Sequence, residues 1–304
     1  MELIKLPVLS EYDGERVDKV IAGEADTLSR SFVQKIIKSG EVTVDGKVVK
    51  PGYKVSEGEE ILFSIPESIE PDIPAQDIPL DILYEDADVL VVNKPKGMVV
   101  HPAAGHYTDT LVNALMFHCK KQLSGINGIL RPGIVHRIDK DTTGALIVCK
   151  NDAAHQNISA QLKEHSVRRR YRAIVHGVIK EESGTVNAPI GRDPSDRKKM
   201  CAGCRNGKNA VTHFQVLKRL KGYTYIECSL ETGRTHQIRV HMTSLGHPLL
   251  GDEVYGKRKT AFQLQGQTLH AMTLGFVHPT TNEYMEFCAP LPDYFQHLLD
   301  ILHE

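Results

Sequence analysis

A proline-rich, acidic segment limits most strongly how this chain can fold. Its four prolines fall within fourteen residues: Pro66, Pro71, Pro74 and Pro79. Proline lacks a backbone N–H donor and disfavours the helical conformation of the residue before it, so neither a helix nor an inner strand can run through this segment. We therefore predict a linker at residues 66–80 that separates a small N-terminal domain, residues 12–65, from a larger domain, residues 81–295.

The charge of the chain is unevenly distributed, although its formal net charge is only -1 at pH 7. Residues 67–92 contain eight carboxylates and neither lysine nor arginine. Residues 163–208 contain twelve basic side chains against five acidic ones. Such a basic segment can supply the phosphate contacts that dominate nucleic-acid affinity, and it is equally compatible with a plain solvated surface.

The small domain carries two helical patterns followed by a hairpin pattern. Apolar residues recur at helical spacing within residues 17–21, and again within residues 32–37. Two short β-branched runs, residues 42–44 and 47–49, flank an Asp-Gly pair, which is a favoured two-residue hairpin turn. The predicted order of elements is therefore helix, helix, hairpin.

The stretch SRSFVQKIIKSGEVTVDGK, which begins at residue 29, resembles the S4 RNA-binding domain. Its basic side chains Arg30, Lys35 and Lys38 lie off the apolar face of the second helix. The resemblance implies a small α+β, S4-like domain at residues 12–65 that binds structured RNA through this helix. The alternative is an ordinary small α+β domain whose lysines are only solvated.

The larger domain shows many strand-like runs and fewer helical patterns. The strand-like runs cover residues 89–92, 145–149, 172–175, 212–216 and 223–230. Helical patterns cover residues 109–119 and 152–163, and a third begins with Thr235 as its N-cap and ends near Gly246. These elements predict an α+β fold with a mainly antiparallel or mixed central β-sheet and flanking helices.

Reactive side chains are densest in residues 131–144, directly before the apolar strand predicted at residues 145–149. A polar loop beside a buried strand can hold a carboxylate rigidly, and Asp139 lies within this loop. Aspartate between basic residues is also a common turn former and surface ion-pair partner. Ile138 separates Arg137 from Asp139, which breaks the His-Arg-Asp motif of protein kinases, and the sequence contains neither a kinase glycine loop nor a Walker loop.

Cys201 and Cys204 have the two-residue spacing of a zinc knuckle, and His213 is the nearest further ligand in the sequence. No second cysteine pair completes such a site. His236 and His241 are five residues apart, so on the predicted helix they point in different directions and cannot share a metal ion. We therefore predict no metal site, with a zinc-binding RNA module around Cys201 as the alternative.

The six cysteines are few and scattered, and Cys149 lies within an apolar run where a reduced core thiol is expected. The first residues lack the basic start and apolar stretch of a secretion signal. No run of roughly eighteen apolar residues, the length that spans a membrane, occurs in the sequence. These features predict a cytoplasmic protein without a membrane partner.

Short blocks of characteristic sequence follow one another along the larger domain, at residues 92–102, 135–144, 170–173, 230–242, 246–252, 269–271 and 277–279. In sequence and in order, these blocks resemble those of the RluA-type pseudouridine synthases, and among them the RluD-like enzymes. The resemblance runs from about Ile82 to Pro292. Ile138, where many members carry leucine, conserves shape. The resemblance implies the pseudouridine synthase fold and a catalytic domain at residues 81–295.

The resemblance also implies roles for single residues. Asp139 corresponds to the catalytic aspartate, Tyr171 to an active-site tyrosine that packs on the target base, and Arg239 to the partner of the aspartate. Arg137 corresponds to an arginine that enters the space left by the flipped uridine. Further RNA contacts are expected from basic side chains of both domains: His136, Arg168, Arg169 and Arg170, with Arg30, Lys35 and Lys38. The alternatives are a core tyrosine at Tyr171 and a surface ion pair at Arg239.

The chemistry of this isomerisation agrees with those roles. N1 of uracil must leave C1′ of the ribose, and the ring must be rejoined through C5, so a carboxylate is needed near the sugar. No redox step occurs, so no cofactor is required. Asp139 could attack C1′ or remove the C2′ proton, and the sequence is compatible with both. A target base within paired or stacked RNA must first be flipped out.

We expect the substrate to be large-subunit ribosomal RNA, either free or within a pre-ribosomal particle, and the enzyme to act as a monomer. The alternative from a different class is a non-catalytic RNA-binding or ribosome-assembly factor with the same fold. The intact set of Asp139, Tyr171 and Arg239 argues against that alternative.

Overall fold

The computed structural model describes most of the chain, in two compact units, Met1–Glu70 and Pro71–Glu304. The described residues are 2–25, 28, 30–65, 73–103, 105–120, 122–128, 130–196, 198–256 and 262–303. The first part of the expected linker, residues 66–72, lies outside them. Ile73 is only 4% exposed and packs into the core of the second unit. The backbone N–H of Gln76 donates to the Asn113 carbonyl, so the second part of the expected linker contacts this unit.

The first unit combines two helices with a four-stranded antiparallel sheet of order β1-β4-β2-β3. Its elements are β1 (Glu2–Pro7), α1 (Val17–Glu24), α2 (Arg30–Lys38), β2 (Val42–Val44), β3 (Lys47–Val48) and β4 (Glu60–Ile65). The predicted order of helix, helix and hairpin is confirmed. The sequence patterns did not reveal β1 and β4, and β1 precedes residue 12, where the domain was expected to start.

Local sequence explains both α2 and the hairpin. The buried side chains of α2 are Val33, Ile36 and Ile37. Lys35 and Lys38 lie outside this apolar stripe and are exposed on the solvent face of the helix. Asp45 and Gly46 join β2 to β3 with φ angles of 47° and 73°, the left-handed values that a tight two-residue hairpin turn requires.

The second unit is built on a nine-stranded mixed sheet, so the predicted α+β fold with a mixed central sheet is confirmed. Its strands are β5 (Ile82–Glu85), β6 (Val89–Lys94), β7 (Thr143–Cys149), β8 (Arg168–His176), β9 (Ser183–Asn187), β10 (Ile190–Arg192), β11 (Met200–Ala202), β12 (Val211–Leu220), β13 (Tyr223–Leu230), β14 (Leu269–Val277) and β15 (Tyr284–Cys288). Its helices are α3 (Leu111–His118), α4 (Asp152–Lys163), α5 (Gln237–Ser244) and α6 (Asp293–Ile301). The main sheet runs β5-β6-β7-β14-β8-β13-β12-β9, and β15 also pairs with β14, while β10 and β11 form a separate two-stranded sheet.

The main sheet forks along β14. One edge of β14 pairs with β8, while the other edge pairs first with β7, in parallel, and then with β15. Gly144 lies where β7 meets β14, with a φ angle of 109°, and a Cβ atom there would stand 2.2 Å from the Ala271 carbonyl oxygen. Glycine therefore permits this close approach. The fork brings the loop before β7 next to the middle of β8.

Helix ends agree with prediction in part. Helix α4 has the predicted bounds, and the Asn151 side chain caps it by accepting from the Ala154 N–H. The predicted cap of α5 is wrong, because the N-cap is His236, with a left-handed φ of 56°, rather than Thr235. Helix α6 extends beyond residue 295, the expected end of the domain, and buries Leu298. Among the described residues, no helix combines the length and apolar character that crossing a membrane requires.

Candidate active site

A pocket of about 550 Å³ opens in the second unit at the fork of the sheet. It is lined by the loop before β7, by the end of α4 and the start of β8, and by the segment that leads into α5. The predicted site residues that line it are His136, Arg137, Asp139, Arg169, Tyr171 and Arg239. The fold thus brings together residues that are up to about a hundred positions apart in the sequence.

Asp139 lies in the loop directly before the fully buried strand β7. Its carbonyl accepts from the Thr142 N–H in a tight turn at 3.0 Å. The next carbonyl, of Lys140, accepts from the Lys94 ammonium at 2.9 Å. Lys94 is fully buried and also donates to the carbonyls of Pro95 and Met98, and burial lowers its pKa to about 7. These bonds hold the backbone at Asp139 and directly after it.

Arg239 joins two carboxylates in the wall of the pocket. Its Nη1 donates to Asp139 Oδ2 at 2.8 Å. Its Nε and Nη2 donate to the two carboxylate oxygens of Asp252 at 2.7 and 2.9 Å. Burial favours a lower pKa for Arg239, but hydrogen bonds and charge of Asp252, followed by those of Asp139, raise the pKa overall. The guanidinium is therefore a fixed cation whose fork geometry orients Asp139.

Asp252 was missed as a functional residue by sequence reasoning, although it ends one of the family-like blocks. It is 1% exposed, and besides Arg239 its Oδ1 accepts from the N–H groups of Val254 and Tyr255 at 3.0 and 3.1 Å. An aspartate directly after a block such as Gly-His-Pro-Leu-Leu-Gly was the available signal. Its role became clear only from the fold, which brings its carboxylate into hydrogen-bond contact with Arg239.

His236 faces the other oxygen of Asp139. Its Nε2 lies 3.9 Å from Asp139 Oδ1, and its Nδ1 lies 2.8 Å from the hydroxyl of Tyr255. That hydroxyl accepts from the Met200 N–H at 2.8 Å. Burial lowers the pKa of His236, opposed by the charge of Asp139, so the ring is neutral near pH 7. If Tyr255 donates to Nδ1, the imidazole proton is on Nε2 and points toward Asp139.

Tyr171 lies on β8 with its side chain 7% exposed and lines the pocket. It also contacts the main core, so the core and active-site interpretations of this residue both hold. Side chains of a strand alternate between the two faces, and Arg169 therefore shares the pocket face with Tyr171. Arg168 and Arg170 point to the other face, where they form ion pairs with Glu286 and Glu227. The structure thus separates the three consecutive arginines.

Arg137 and His136 lie in the same loop as Asp139 but differ in exposure. Arg137 is exposed at the pocket mouth, and its Nη1 lies 3.4 Å from Nε2 of the buried His101. Burial, with the nearby charge of Arg137, lowers the pKa of His101 to about 4. His136 accepts from the Ile147 N–H through Nε2, and burial lowers its pKa to about 3. His136 therefore lines the pocket as a neutral ring and not as a cation.

The basic residues predicted on α2 belong to the first unit. Lys35 and Lys38 are exposed. Arg30 donates to both oxygens of Asp18 at 3.3 Å, and Arg16 donates to the same buried carboxylate at 3.0 Å. The side chains of Arg30 and Arg16 remain about half exposed, at 50% and 46%. Asp18 therefore fixes two arginines at the surface of this unit.

Cys201 and Cys204, the cysteines of the alternative zinc module, are bonded to each other as a disulfide. Within the described residues, two clusters elsewhere group possible metal ligands: Glu85 with His118 and Cys119, and Asp86 with Asp88 and His278. In the second cluster, Nδ1 of His278 accepts from two backbone N–H groups, so its Nε2 carries the proton and donates to Asp86 at 2.8 Å. This hydrogen bond explains the second cluster without a metal ion. The predicted free thiol of Cys149 is confirmed.

Comparison with known families defines the class of this protein. Residues 88–244 match the family described as RNA pseudouridylate synthase, and residues 15–61 match the S4 domain. The chain belongs to the RNA pseudouridylate synthase family. It is an RNA-modifying isomerase that converts uridine to pseudouridine and carries an S4 RNA-binding domain.

Similar proteins agree with this assignment over the whole chain. The chain is 54% identical to the uncharacterized RNA pseudouridine synthase YlyB of Bacillus subtilis over 304 residues, which covers 100% of this chain and 99% of that protein. It is 47% identical to ribosomal large subunit pseudouridine synthase D of Zymomonas mobilis, which covers 98% of this chain and 97% of that protein. Among solved structures, human RNA pseudouridylate synthase domain containing 1 is 29% identical with a TM-score of 0.56, covering 75% of this chain and 96% of that one.

Proposed function

We propose that this enzyme isomerises uridine in large-subunit ribosomal RNA and that Asp139 is its catalytic carboxylate. The observation that carries the assignment of Asp139 is its geometry, with one oxygen bound to Arg239 and the other turned toward the pocket and His236. Similarity to proteins named ribosomal large subunit pseudouridine synthase D, from Zymomonas mobilis and Pseudomonas aeruginosa, supports the RNA class.

The reaction breaks the bond between C1′ and N1, forms a bond between C1′ and C5, and moves a proton from C5 to N1 with solvent as intermediary. Asp139 initiates it, either by attacking C1′ or by removing the C2′ proton. Both routes need an ionised carboxylate at a fixed position. Arg239 holds the Asp139 carboxylate in place through Nη1. Its Nε and Nη2 are bound to Asp252, so the guanidinium itself has a fixed position.

Tyr171 and Arg137 support the flipped state of the substrate in this proposal. Tyr171 lies in the pocket wall beside Asp139, where its ring can pack on the detached uracil and keep it from escaping. Burial raises the pKa of Tyr171, so it acts as a neutral phenol. Arg137 is at the exposed mouth and can fill the space that the flipped uridine leaves in the RNA.

The S4 domain provides RNA contacts away from the chemistry. Lys35 and Lys38 are exposed near the end of α2, and Arg30, at the start of the same helix, is ion-paired with Asp18. Exposed cations along a helix can contact the regularly spaced phosphates of structured RNA. We propose that the enzyme works as a monomer in the cytoplasm, on free ribosomal RNA or on pre-ribosomal particles, without a metal ion.

The test is to incubate the purified protein with unmodified transcripts of large-subunit ribosomal RNA, small-subunit ribosomal RNA and transfer RNA. Pseudouridine is then mapped by carbodiimide adducts and primer-extension stops. We expect new stops in the large-subunit transcript alone. Stops confined to transfer RNA would overturn the substrate assignment. Tight binding without stops on any RNA would favour an assembly factor that has lost the chemistry.

A further inference from the structure

Arg169 differs from every other arginine of β8 in what surrounds it. Alternation along the strand places it on the pocket face, where it is 8% exposed. Arg168, Arg170 and Arg172 lie on the opposite face, and each forms an ion pair with Glu286 or Glu227. Each of the three outward arginines therefore has a carboxylate partner within the protein, with Glu227 shared by Arg170 and Arg172.

Arg169 has no comparable partner in the described part of the chain. No carboxylate there lies within ion-pair distance of its guanidinium, and its Nε has no hydrogen-bond partner. Its Nη2 donates to the Glu231 carbonyl at 3.3 Å, which is a long hydrogen bond. Burying a guanidinium without an anion costs free energy unless a ligand supplies the missing charge.

Part of the pocket lining is cationic. We define this cationic lobe by Lys163, Arg169 and Arg234. Among the described residues that line the whole pocket, Asp139 is the one carboxylate, and Arg239 already binds it. Asp139 therefore does not compensate the positive charge of the lobe, and the lobe attracts an anion.

Gly233 shapes the lobe. A Cβ atom at this position would stand 2.7 Å from Nη1 of Arg169, well inside van der Waals contact. Glycine therefore allows Nη1 of Arg169 to approach the backbone closely at this position. Arg234, the next residue, is held by a hydrogen bond from its Nε to the Asn209 carbonyl at 2.9 Å. Backbone carbonyls thus position two arginines of the pocket lining, Arg169 and Arg234.

We propose that this lobe is a phosphate subsite in which Arg169 binds a backbone phosphate adjacent to the flipped uridine. The inference rests on the proposed function, since it uses the position of Asp139 to locate the target ribose. A flanking phosphate is covalently attached to that ribose and must lie within one nucleotide of Asp139. A planar guanidinium with free donors binds phosphate through paired hydrogen bonds. The subsite anchors the RNA backbone where the base leaves the stack.

The first test compares two matched variants, Arg169→Gln and Arg172→Gln, on the RNA found by the pseudouridine mapping. We expect Arg169→Gln to lower kcat/KM about 10- to 100-fold, the effect of losing one charge-assisted contact. The control should change kcat/KM less than threefold, because it removes a charge of the same type from the same strand, on the face that points away from the pocket and where Arg172 pairs with Glu227. Equal losses in both variants would overturn the proposal.

The second test identifies the contacted phosphate by ethylation interference. The RNA is ethylated about once per molecule, protein-bound RNA is separated from free RNA, and the ethylated positions in each pool are mapped. Wild-type enzyme should exclude RNA ethylated at a phosphate flanking the target uridine. Arg169→Gln should lose this one signal and keep the others, which a merely structural role would not produce. The same signal in both proteins would overturn the subsite.

Folding and the underlying function are controlled separately. If Arg169→Gln does not fold, Arg169→Met replaces it, because methionine fills the buried volume with apolar atoms, and it must lose the same interference signal. If wild-type enzyme forms no pseudouridine in any RNA, the proposed function fails. If wild type is active and Arg169 variants bind RNA with an unchanged interference pattern, the phosphate subsite alone fails.

Discussion

Two buried arginines line the same pocket, yet their electrostatic environments are opposite. Arg239 is bound by the carboxylates of Asp139 and Asp252 through three hydrogen bonds. Arg169 contacts a backbone carbonyl and, in the described part of the chain, no carboxylate. An arginine that is paired with carboxylates of the protein holds those side chains in place. A buried arginine without such a partner can bind an anionic ligand.

Because of this difference, removing the two side chains is expected to have different effects on folding, catalysis and RNA binding. Removing Arg239 leaves two buried or half-buried carboxylates without their cation, so both folding and catalysis suffer. Removing Arg169 relieves an uncompensated buried charge, so the free protein gains or loses little, while RNA binding suffers. Stability and activity measured together therefore separate the two roles.

The largest effect is expected from Arg239→Lys. Lysine keeps the charge but cannot reach Asp139 and both oxygens of Asp252 at once, so the carboxylate loses its orientation. We expect kcat to fall about 100-fold or more, and the free energy of unfolding by about 1 to 2 kcal/mol. Single-turnover kinetics and urea unfolding measure the two quantities. A variant with nearly wild-type turnover would show that Arg239 does not orient Asp139.

The next effect concerns Asp252→Asn, which keeps the shape of the side chain and removes its charge. Asp252 is fully buried, and breaking a buried ion pair from one side costs about 3 to 5 kcal/mol, so the free energy of unfolding should fall by roughly that amount. Turnover should fall as well, because Arg239 loses its anchor. Unfolding curves with unchanged stability would mean that the pair of Asp252 and Arg239 is not structural.

Arg169→Met is expected to change the stability of the protein less than either of these substitutions. Because this substitution leaves no described carboxylate without its ion-pair partner, we expect the free energy of unfolding to stay within about 1 kcal/mol of wild type or to increase. Arg239→Met serves as the matched variant and should lose about 3 kcal/mol or more. Similar destabilisation by both substitutions would remove the contrast between the two arginines.

The smallest effect is expected in the S4 domain. The double substitution of Lys35 and Lys38 by alanine should weaken RNA binding modestly and reduce the slope of log affinity against log salt concentration by about two, since each lysine neutralises one phosphate. Turnover of saturating RNA should be unchanged. The matched control replaces Lys47 and Lys50 of the same domain, and an equal change of slope in the control would argue against a specific role of α2.

Sequence patterns predicted much of this fold because the strongest signals are local. The apolar run of β7, the bounds of α4 and the Asp-Gly hairpin each depend on neighbouring residues. β1 and β4 were missed because each is stabilised by pairing with a strand more than fifty residues away. Helix α6 was missed because its apolar face is defined by residues of other elements, such as Ile174.

The predicted site residues Asp139, Tyr171 and Arg239 do meet in one pocket, as the family-like blocks implied. Asp252 and His236 could not be assigned from sequence, since their contacts cross from one loop to another. Side chains alternate between the two faces of a strand, which explains why Arg169 lies on a different face from Arg168 and Arg170. The sequence predicted this strand to begin at Arg172, whereas β8 begins at Arg168. The predicted strand was four residues too short at its start, so the difference between the paired arginines and Arg169 could not be predicted.

The most direct test of the central claim measures release of tritium from RNA that carries uridine labelled at C5, because the isomerisation expels the C5 hydrogen. Wild type and Asp139→Asn are compared under single-turnover conditions, with RNA affinity and circular dichroism as controls for folding. We predict that Asp139→Asn binds the RNA like wild type and releases tritium at least about a thousandfold more slowly. Release within tenfold of the wild-type rate would contradict the assignment of Asp139 as the catalytic carboxylate.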